Sequence, residues 1–535
     1  MKLLKAMATV AGFSMISRVS GMVRDIMMAG FMGAGPLSDA FFVALKLPNM
    51  FRRITAEGAF TVSFVPLYSK TIELEGEQAA GEFAGKTFSM MALILSVFSI
   101  AMMIFMPWVI KLIAPGFEVG EERFQPAVDM TQITFPYLLL MSLTALFGGM
   151  LNVHHKFGPF AAAPIFFNIC AISAILVGHY FFADPTSAIP YAMAWGVTLS
   201  GFIQLWMMIH YVRKYKISYS WQGFVWDEKI KKIFKLMGPG FVGSGILQIN
   251  IFIDTLFASL LPIGAISYLY YADRLQQLPL GIIGLAVGAA ILPMLSRSIA
   301  SGNVQQSREL FNRSLEYTYI IALPAAVALL IIPIPIVALI LERGAFTQVD
   351  TVTTSYVVMG YAVGLPAYIA GKVFASIFWA QGDTMTPVKI SIANSLLNTV
   401  LCFAFIKFTP MGIAGIALAT GLSGWLQLIL YSRKLKGIEI AAYDEQFKQA
   451  FPQICFSACA MAVVLAGLGY ALQDYFHSHT LAKLLTVAAL ISAGGLTYIG
   501  AIWYFGIVKI KDIKELLNRK RLKDETNPIG NAADE

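Results

Sequence analysis

"DAFFVALKLPNMFRRITAEGAF", residues 39–60, runs from Asp39 through a stretch, Ala40 to Leu47, that is apolar apart from Lys46, and then into Arg52, Arg53 and Glu57. Whether that stretch crosses a lipid bilayer or fills a soluble core decides the fold. The rest of the chain settles the question. Of 535 residues 57% are hydrophobic and only 13% charged, with a mean hydropathy of +0.69, whereas a soluble domain carries about 25% charged residues. The sequence is that of a polytopic membrane protein.

Apolar stretches of about 20 residues, the length that crosses a bilayer core, fall near 3–30, 37–69, 86–113, 128–153, 159–182, 187–211, 233–262, 264–297, 315–341, 351–380, 387–408, 411–433, 450–473 and 481–508. Lipid offers the backbone no hydrogen-bond partners, so each should be helical, and the fold class is all-α with about 14 transmembrane helices. Assigned alternately to two sides, the loops of one side hold Lys70, Lys214, Lys231, Arg297, Arg433 and the basic tail, and the other side only Lys111, Arg123, Arg343, Lys407 and Lys483. The positive-inside rule then puts both termini in the cytoplasm. Much of the net charge of +8, from 39 basic and 31 acidic residues, is topology rather than a nucleic-acid surface.

The N-terminal "MKLLKAMATVAGFSMISR" resembles a signal peptide, but Arg18, Arg24 and Asp25 follow where a cleavage site would stand, so it reads as a retained first helix. Cys170, Cys402, Cys455 and Cys459 lie in apolar stretches without metal-ligand spacing and read as core thiols. His154 and His155 fall in a predicted cytoplasmic loop.

An internal repeat organises the chain. Asp25 precedes Gly35 by ten residues as Asp254 precedes Gly264, and "FVPLYSK" to Lys70 matches "ILPMLSR" to Arg297. Near the same offset, the stretch ending at Asn168 matches the one ending at Asn394. Two homologous six-helix lobes, 1–215 and 216–440, are expected. An even number of helices per copy makes the copies parallel, related by an axis along the membrane normal, with substrate bound between them. The segments 37–69 and 264–297 are too long for one straight crossing, and Pro48 and Gly58, or Pro279 with Gly281 and Gly284, offer places to bend or hinge. Close helix packing through the glycines is the alternative.

An arginine at a helix centre costs about 2.5–3.5 kcal/mol if it faces lipid. Arg18, Arg24, Arg52, Arg53 and Arg274 must therefore face water, a partner or a ligand. Helical spacing puts Arg18 and Asp25 nearly on one face, and likewise Asp39 with Lys46 and Arg53. In the N-terminal cluster Arg18, Arg24, Lys46, Arg52 and Arg53 outnumber Asp25, Asp39 and Glu57 by two, so a cavity they line suits an anion. Guanidinium grips a diphosphate or carboxylate in two-pronged fashion.

"SRVSGMVRD" (17–25), residues 39–60, "APGF" (114–117), "ITFPYLLL" (133–140), "YYADRLQQLPLGIIGLAVGAAILPMLSR" (270–297) and "TPVKI" (386–390) together resemble the MurJ (MviN) lipid II flippase family. The resemblance implies a fold of the multidrug/oligosaccharidyl-lipid/polysaccharide exporter superfamily, with two extra helices at 441–510 forming a lipid groove, ahead of a basic cytoplasmic tail at 511–535. It implies that the substrate is lipid II, the undecaprenyl-diphosphate-linked peptidoglycan precursor, moved from the cytoplasmic to the periplasmic leaflet of the bacterial inner membrane for cell wall synthesis. By that resemblance Arg18, Arg24, Arg53 and Arg274 hold the diphosphate with Arg52 as helper, and Asp39 is a functional acid. Asp25, Glu57 and Asp273 complete the acidic set.

The expected partners are lipid II, membrane lipids and, through the substrate, the peptidoglycan synthesis machinery. No organic cofactor is expected. A sodium ion in the C-terminal lobe, on Asp254, Asn394 and Asn398, is the family's candidate coupling ion, and the sequence does not choose between sodium, protonation and membrane potential as the means of release. The tail suits an anionic membrane surface. A drug antiporter of the same superfamily would favour acidic groups in its cavity, and a different lipid-linked oligosaccharide remains a substrate alternative. A prenyl-diphosphate enzyme would show an acidic metal motif, which is not visible, and "GEFAGKT" (81–87) is one residue short of a phosphate-binding loop and follows no strand.

Overall fold

The computed structural model describes residues 2–507, leaving aside the side chains of residues 2–8, 56, 57, 59, 239, 242, 243, 246, 247 and 282–292. The expectations for Glu57, Gly284 and the tail 511–535 lie outside the described residues. The α-helices are α1 Lys2–Met32, α2 Pro36–Arg52, α3 Thr61–Ile104, α4 Met106–Ile113, α5 Phe124–Thr134, α6 Pro136–Val153, α7 Gly158–Tyr180, α8 Pro185–Lys214, α9 Glu228–Ser259, α10 Ala265–Ala300, α11 Val304–Ile331, α12 Pro333–Leu341, α13 Gln348–Ala380, α14 Met385–Phe408, α15 Ile413–Lys434, α16 Glu445–Ala471 and α17 Thr480–Tyr504. Among the described residues there is no strand, only an isolated bridge between Arg343 and Phe346. The apolar stretches read from the sequence fall on helix, and among the described residues ten helices are long and apolar enough to cross a membrane by length and composition.

The opening stretch shows how the chain tolerates its own irregularities. Pro36 starts α2, where its missing N–H costs nothing. Pro48 leaves the Ala44 carbonyl without its helical donor, and Thr134 of α5 supplies one at 2.8 Å. α2 therefore continues through the proline to Arg52. Beyond it Arg53–Phe60 widens into a π-helical segment, whose Ile54 carbonyl accepts from Ser244 of α9 at 3.2 Å. Gly58 makes that approach possible, since a Cβ there would stand 2.6 Å from Ser244. The sharper break comes at Gly76, where φ is +88°, a value suited to glycine.

The chain separates into two compact units. The first comprises the chain up to Leu275 with Ile340–Tyr361 and Met385–Ser423. The second comprises Gln276–Leu339, Ala362–Thr384 and the chain from Gly424, so the division passes through α10 four residues before Pro279. α10 is helical throughout, with Pro279 and Pro293 inside it. In the second unit α11 grips the segment leading into α16: Arg308 donates to the Ala442 and Tyr443 carbonyls, and Arg313 Nη2 donates to both carboxylate oxygens of Asp444, which caps α16.

Candidate functional site

Everything described here lies in the first unit. At its centre is Asp25 of α1. Its Oδ1 accepts from Arg24 Nε at 3.0 Å and Nη2 at 2.7 Å, and from the Tyr270 hydroxyl at 3.1 Å. Its Oδ2 faces Arg274 Nε of α10 at 3.6 Å. The third prong of Arg24, Nη1, donates to Asn168 Oδ1 of α7 at 2.9 Å, and Asn168 is itself aimed by donating to the Ser17 carbonyl and Ser20 Oγ. Asn168 lies across α1 at Gly21, where a Cβ would stand 3.5 Å from its Nδ2, at ordinary contact distance. Two rings complete the enclosure. Phe167 lies under the Arg24 guanidinium at 5.2 Å, and Tyr270, stacked on Phe42, lies under Arg274 at 4.8 Å.

The arrangement is one carboxylate between two guanidiniums. The two cations are not equivalent, because the Arg24 side chain is 9% exposed and that of Arg274 is 38% exposed. Burying Arg24 is tolerable only because its fork is fully engaged. Arg274 is the guanidinium more open to whatever enters, and Asp273 as well as Asp25 acts on its charge.

The helical-face pairing of Arg18 with Asp25 is not what forms. Asp25 pairs with its sequence neighbour Arg24 and with Arg274 from another helix, while Arg18 is exposed on α1. A long guanidinium stem reaches back over its own backbone, which a wheel of Cβ directions does not register. Arg52 is half-buried and donates to Asn49, Arg53 is exposed, and Asp273 is half-buried.

Asp39 is fully buried and pairs with neither Lys46 nor Arg53 in the way helical spacing suggests. It reaches instead to the start of α10: Oδ2 accepts from the Gly264 amide at 2.7 Å, and Oδ1 from the Ser267 amide at 2.9 Å and hydroxyl at 2.6 Å. A carboxylate from α2 thus caps α10 in place of a residue of α10's own. Arg123 stands 3.9 Å away and donates to the Leu261 carbonyl. Arg123 was legible as an exception, an arginine on the side the charge rule leaves poor.

The third cluster surrounds Asp254 of α9. Asn398 Nδ2 of α14 donates to its Oδ1 at 3.0 Å, and Thr420 Oγ1 of α15 lies 3.4–3.5 Å from both carboxylate oxygens and 3.4 Å from Asn398 Oδ1. One turn away, the buried carbonyl oxygens of Asn394 and Asn250 have no hydrogen-bond partner. Asp254, Asn398 and Asn394 are thereby placed in one neighbourhood, and Thr420 and Asn250 are additions that only the packing reveals. This oxygen-rich donor set, with two unsatisfied carbonyl oxygens beside it, fits a hard cation such as sodium. Lys46, whose Nζ donates to Thr255 at 3.2 Å, lies close to Asp254.

The architecture defines the class first. The fold is one that this chain shares with an inward-facing multidrug resistance MATE family transporter, which superposes with a TM-score of 0.66 over 79% of this chain and 95% of its own, at 16% identity. Within that class the chain belongs to the lipid II flippase MurJ family, whose sequence profile matches residues 28–487. A probable lipid II flippase MurJ of Rhizobium meliloti (strain 1021) is 38% identical over 87% of this chain and 86% of its own length. The lipid II flippase MurJ of Burkholderia cenocepacia is 31% identical over 88% and 90%. A lipid II flippase MurJ structure in an inward closed conformation matches with a TM-score of 0.77 at 26% identity, over 94% of this chain and 99% of that one.

Proposed function

We propose that this chain is a lipid II flippase, carrying the undecaprenyl-diphosphate-linked precursor from the cytoplasmic to the periplasmic leaflet by alternating access, with both termini in the cytoplasm. It is a transporter rather than an enzyme, and a multi-pass protein of the bacterial inner membrane. The observation that carries the substrate chemistry is the Arg24–Asp25–Arg274 cluster, two guanidiniums around one carboxylate, of which the second guanidinium is the more exposed.

A diphosphate approaching Arg274 competes with a carboxylate oxygen already 3.6 Å off, a weak hold that a better-aligned anion displaces. Arg24 keeps Asp25 in place while that exchange occurs. Arg18, Arg52 and Arg53 draw the anion in. Asp39 caps α10 in this state, and its withdrawal from Gly264 and Ser267 accompanies opening of that end. Pro279 and Gly281 lie just beyond the point where α10 passes between compact units, which supports a hinge there. A sodium ion held by Asp254, Asn394, Asn398 and Thr420 would neutralise the buried carboxylate; sodium and membrane potential are the two coupling routes this charge distribution favours.

Two experiments test the reading. In vesicles loaded with fluorescent lipid II, the purified chain should expose the lipid to an outside quencher, and a chain that leaves lipid II in place but moves another prenyl-linked sugar has the wrong assignment. For orientation, Ala183→Cys should react with an impermeant reagent from the periplasm and Ser301→Cys only after lysis; the reverse pattern inverts the topology.

A further inference from the structure

Between α8 and α9 the chain runs from Tyr215 to Asp227 without helix, yet it is fastened along its length. Ile217 is buried among α3, α6 and α8, and Tyr219 packs edge-on against Phe88 and Phe147. Beneath it α3 presents Gly81 and Gly85, where a Cβ would collide with Ser218 and the Ser220 carbonyl, so the strap lies on bare helix backbone. At its far end Lys86 pairs with Asp227 at 2.9 Å, and Asp227 accepts from the Ile230 amide to cap α9.

The outward side is just as specific. Trp221, Phe224 and Trp226 are 67%, 61% and 54% exposed. Across 213–235 seven basic residues (Arg213, Lys214, Lys216, Lys229, Lys231, Lys232 and Lys235) stand against Asp227 and Glu228, a net +5 from 7 minus 2. Lys229 and Lys231 are paired with Glu75 and Glu228, and the remaining five are exposed.

Large rings held out rigidly beside cations suit neither water nor a bilayer core. They suit the headgroup layer, where aromatic side chains concentrate and basic clusters meet acidic lipid. The loop between α7 and α8 provides the contrast. Its Tyr180, Phe181 and Phe182 are exposed too, but no lysine or arginine lies between His179 and Asp184. Rings alone make a general interfacial belt, and only the strap adds a charge preference.

We propose that the strap 215–227, with the first turns of α9, is a docking surface for anionic phospholipid headgroups, its rings seated among them and its cations on their phosphates. Placing it at the cytoplasmic leaflet rests on the orientation proposed above, whereas the preference for acidic lipid does not. The test is hydrogen–deuterium exchange on the full native chain in nanodiscs, which leave both faces open to solvent. One set contains phosphatidylcholine alone, the other equal parts phosphatidylcholine and phosphatidylglycerol.

Amides of 218–226 should exchange roughly tenfold more slowly in the acidic discs, with little change at 179–184, and high salt should erase the difference. Lys214→Gln, Lys216→Gln, Lys232→Gln and Lys235→Gln together should erase it as well. Equal exchange in both discs, an equal gain at 179–184, or a gain that survives salt overturns the proposal, as does protection that arises only when cytosolic protein is added. A wrong orientation would show in the Ala183 and Ser301 labelling while leaving the exchange result intact.

Discussion

Asp25 and Asp254 stand at matching places in the internal repeat, one on α1 and one on α9, each facing an asparagine-bearing helix, α7 or α14. What fills the space between carboxylate and amide differs. At Asp25 it is the guanidinium of Arg24, touching Asp25 and Asn168 at once. At Asp254 the carboxylate meets the Asn398 amide and Thr420 hydroxyl directly, and the neighbouring Lys46 is bonded to Thr255. One scaffold thus carries two kinds of site: a cation built into the chain, and a set of oxygens with unsatisfied neighbours, for which we have proposed a sodium ion.

The largest effect should come from removing the centre of the first site. Asp25→Ala strands Arg24 and Arg274 against each other and should cost about 3–5 kcal/mol, the scale for breaking a buried ion pair from one side. Asp254→Ala leaves polar groups rather than an opposed pair of guanidiniums and should cost about 1–3 kcal/mol. Thermal unfolding of the two purified variants in the same detergent measures the difference. Equal losses would erase the distinction between the sites.

Lysine substitution separates the two arginines within the first site. Arg24→Lys cannot reproduce three donors aimed at two acceptors, so it should lower both stability and flipping. Arg274→Lys, at the more exposed position, should leave stability nearly unchanged and reduce lipid II flipping at least about tenfold, the scale of one charge-assisted hydrogen bond. Full activity of both variants at matched membrane levels would leave the arginines with a topological role only.

How much of this could be read beforehand follows from what a single chain displays. Charges in apolar stretches are visible, because composition fixes the solvent and an arginine there needs a reason. Their partners are not, since helical periodicity orders residues around one axis and says nothing about which helix lies opposite. Asn168 donates to Ser17, and Asp39 caps a helix that begins 226 residues later. The repeat did mark Asn168 and Asn394 as equivalent, a signal pointing at both sites before either was assembled. The π segment after Arg52 and the break at Gly76 were invisible, because glycine and proline flag many possible bends and tertiary contacts such as Ser244 to Ile54 choose among them.

The sodium site proposed at Asp254 predicts an ion response that the Asp25 cluster lacks. Replacing choline by sodium should raise the melting temperature of the native chain, Asn398→Asp should strengthen the response by adding a second carboxylate, and Asp254→Asn should remove it. A site at tenfold excess over its dissociation constant contributes about 1.4 kcal/mol. Asn168→Asp beside Asp25 should give no sodium response, because Arg24 already occupies that place. Sodium stabilisation of equal size in Asn168→Asp and Asn398→Asp would collapse the comparison.

A third carboxylate calibrates the other two, since Asp227 caps α9 outside the apolar stretches, where water reaches it. Burial pushes its pKa up, but the Ile230 amide and Lys86 outweigh that and hold it below the ordinary aspartate value. Because the folded value is the lower one, the stabilisation is complete above the unfolded pKa of about 3.9 and is lost as pH falls through the folded value. Asn caps a helix as well as Asp, so Asp227→Asn should cost only a few tenths of a kcal/mol at neutral pH, through the weakened contact with Lys86. The deficit should begin to shrink as pH falls below about 3.9 and approach zero below the lower folded value, where the native carboxyl is itself protonated. Melting temperatures of both chains between neutral and acid pH check this: a deficit that persists in acid would assign the loss to cap geometry, and one as large as that of Asp254→Ala would mean that burial is not what separates the sites.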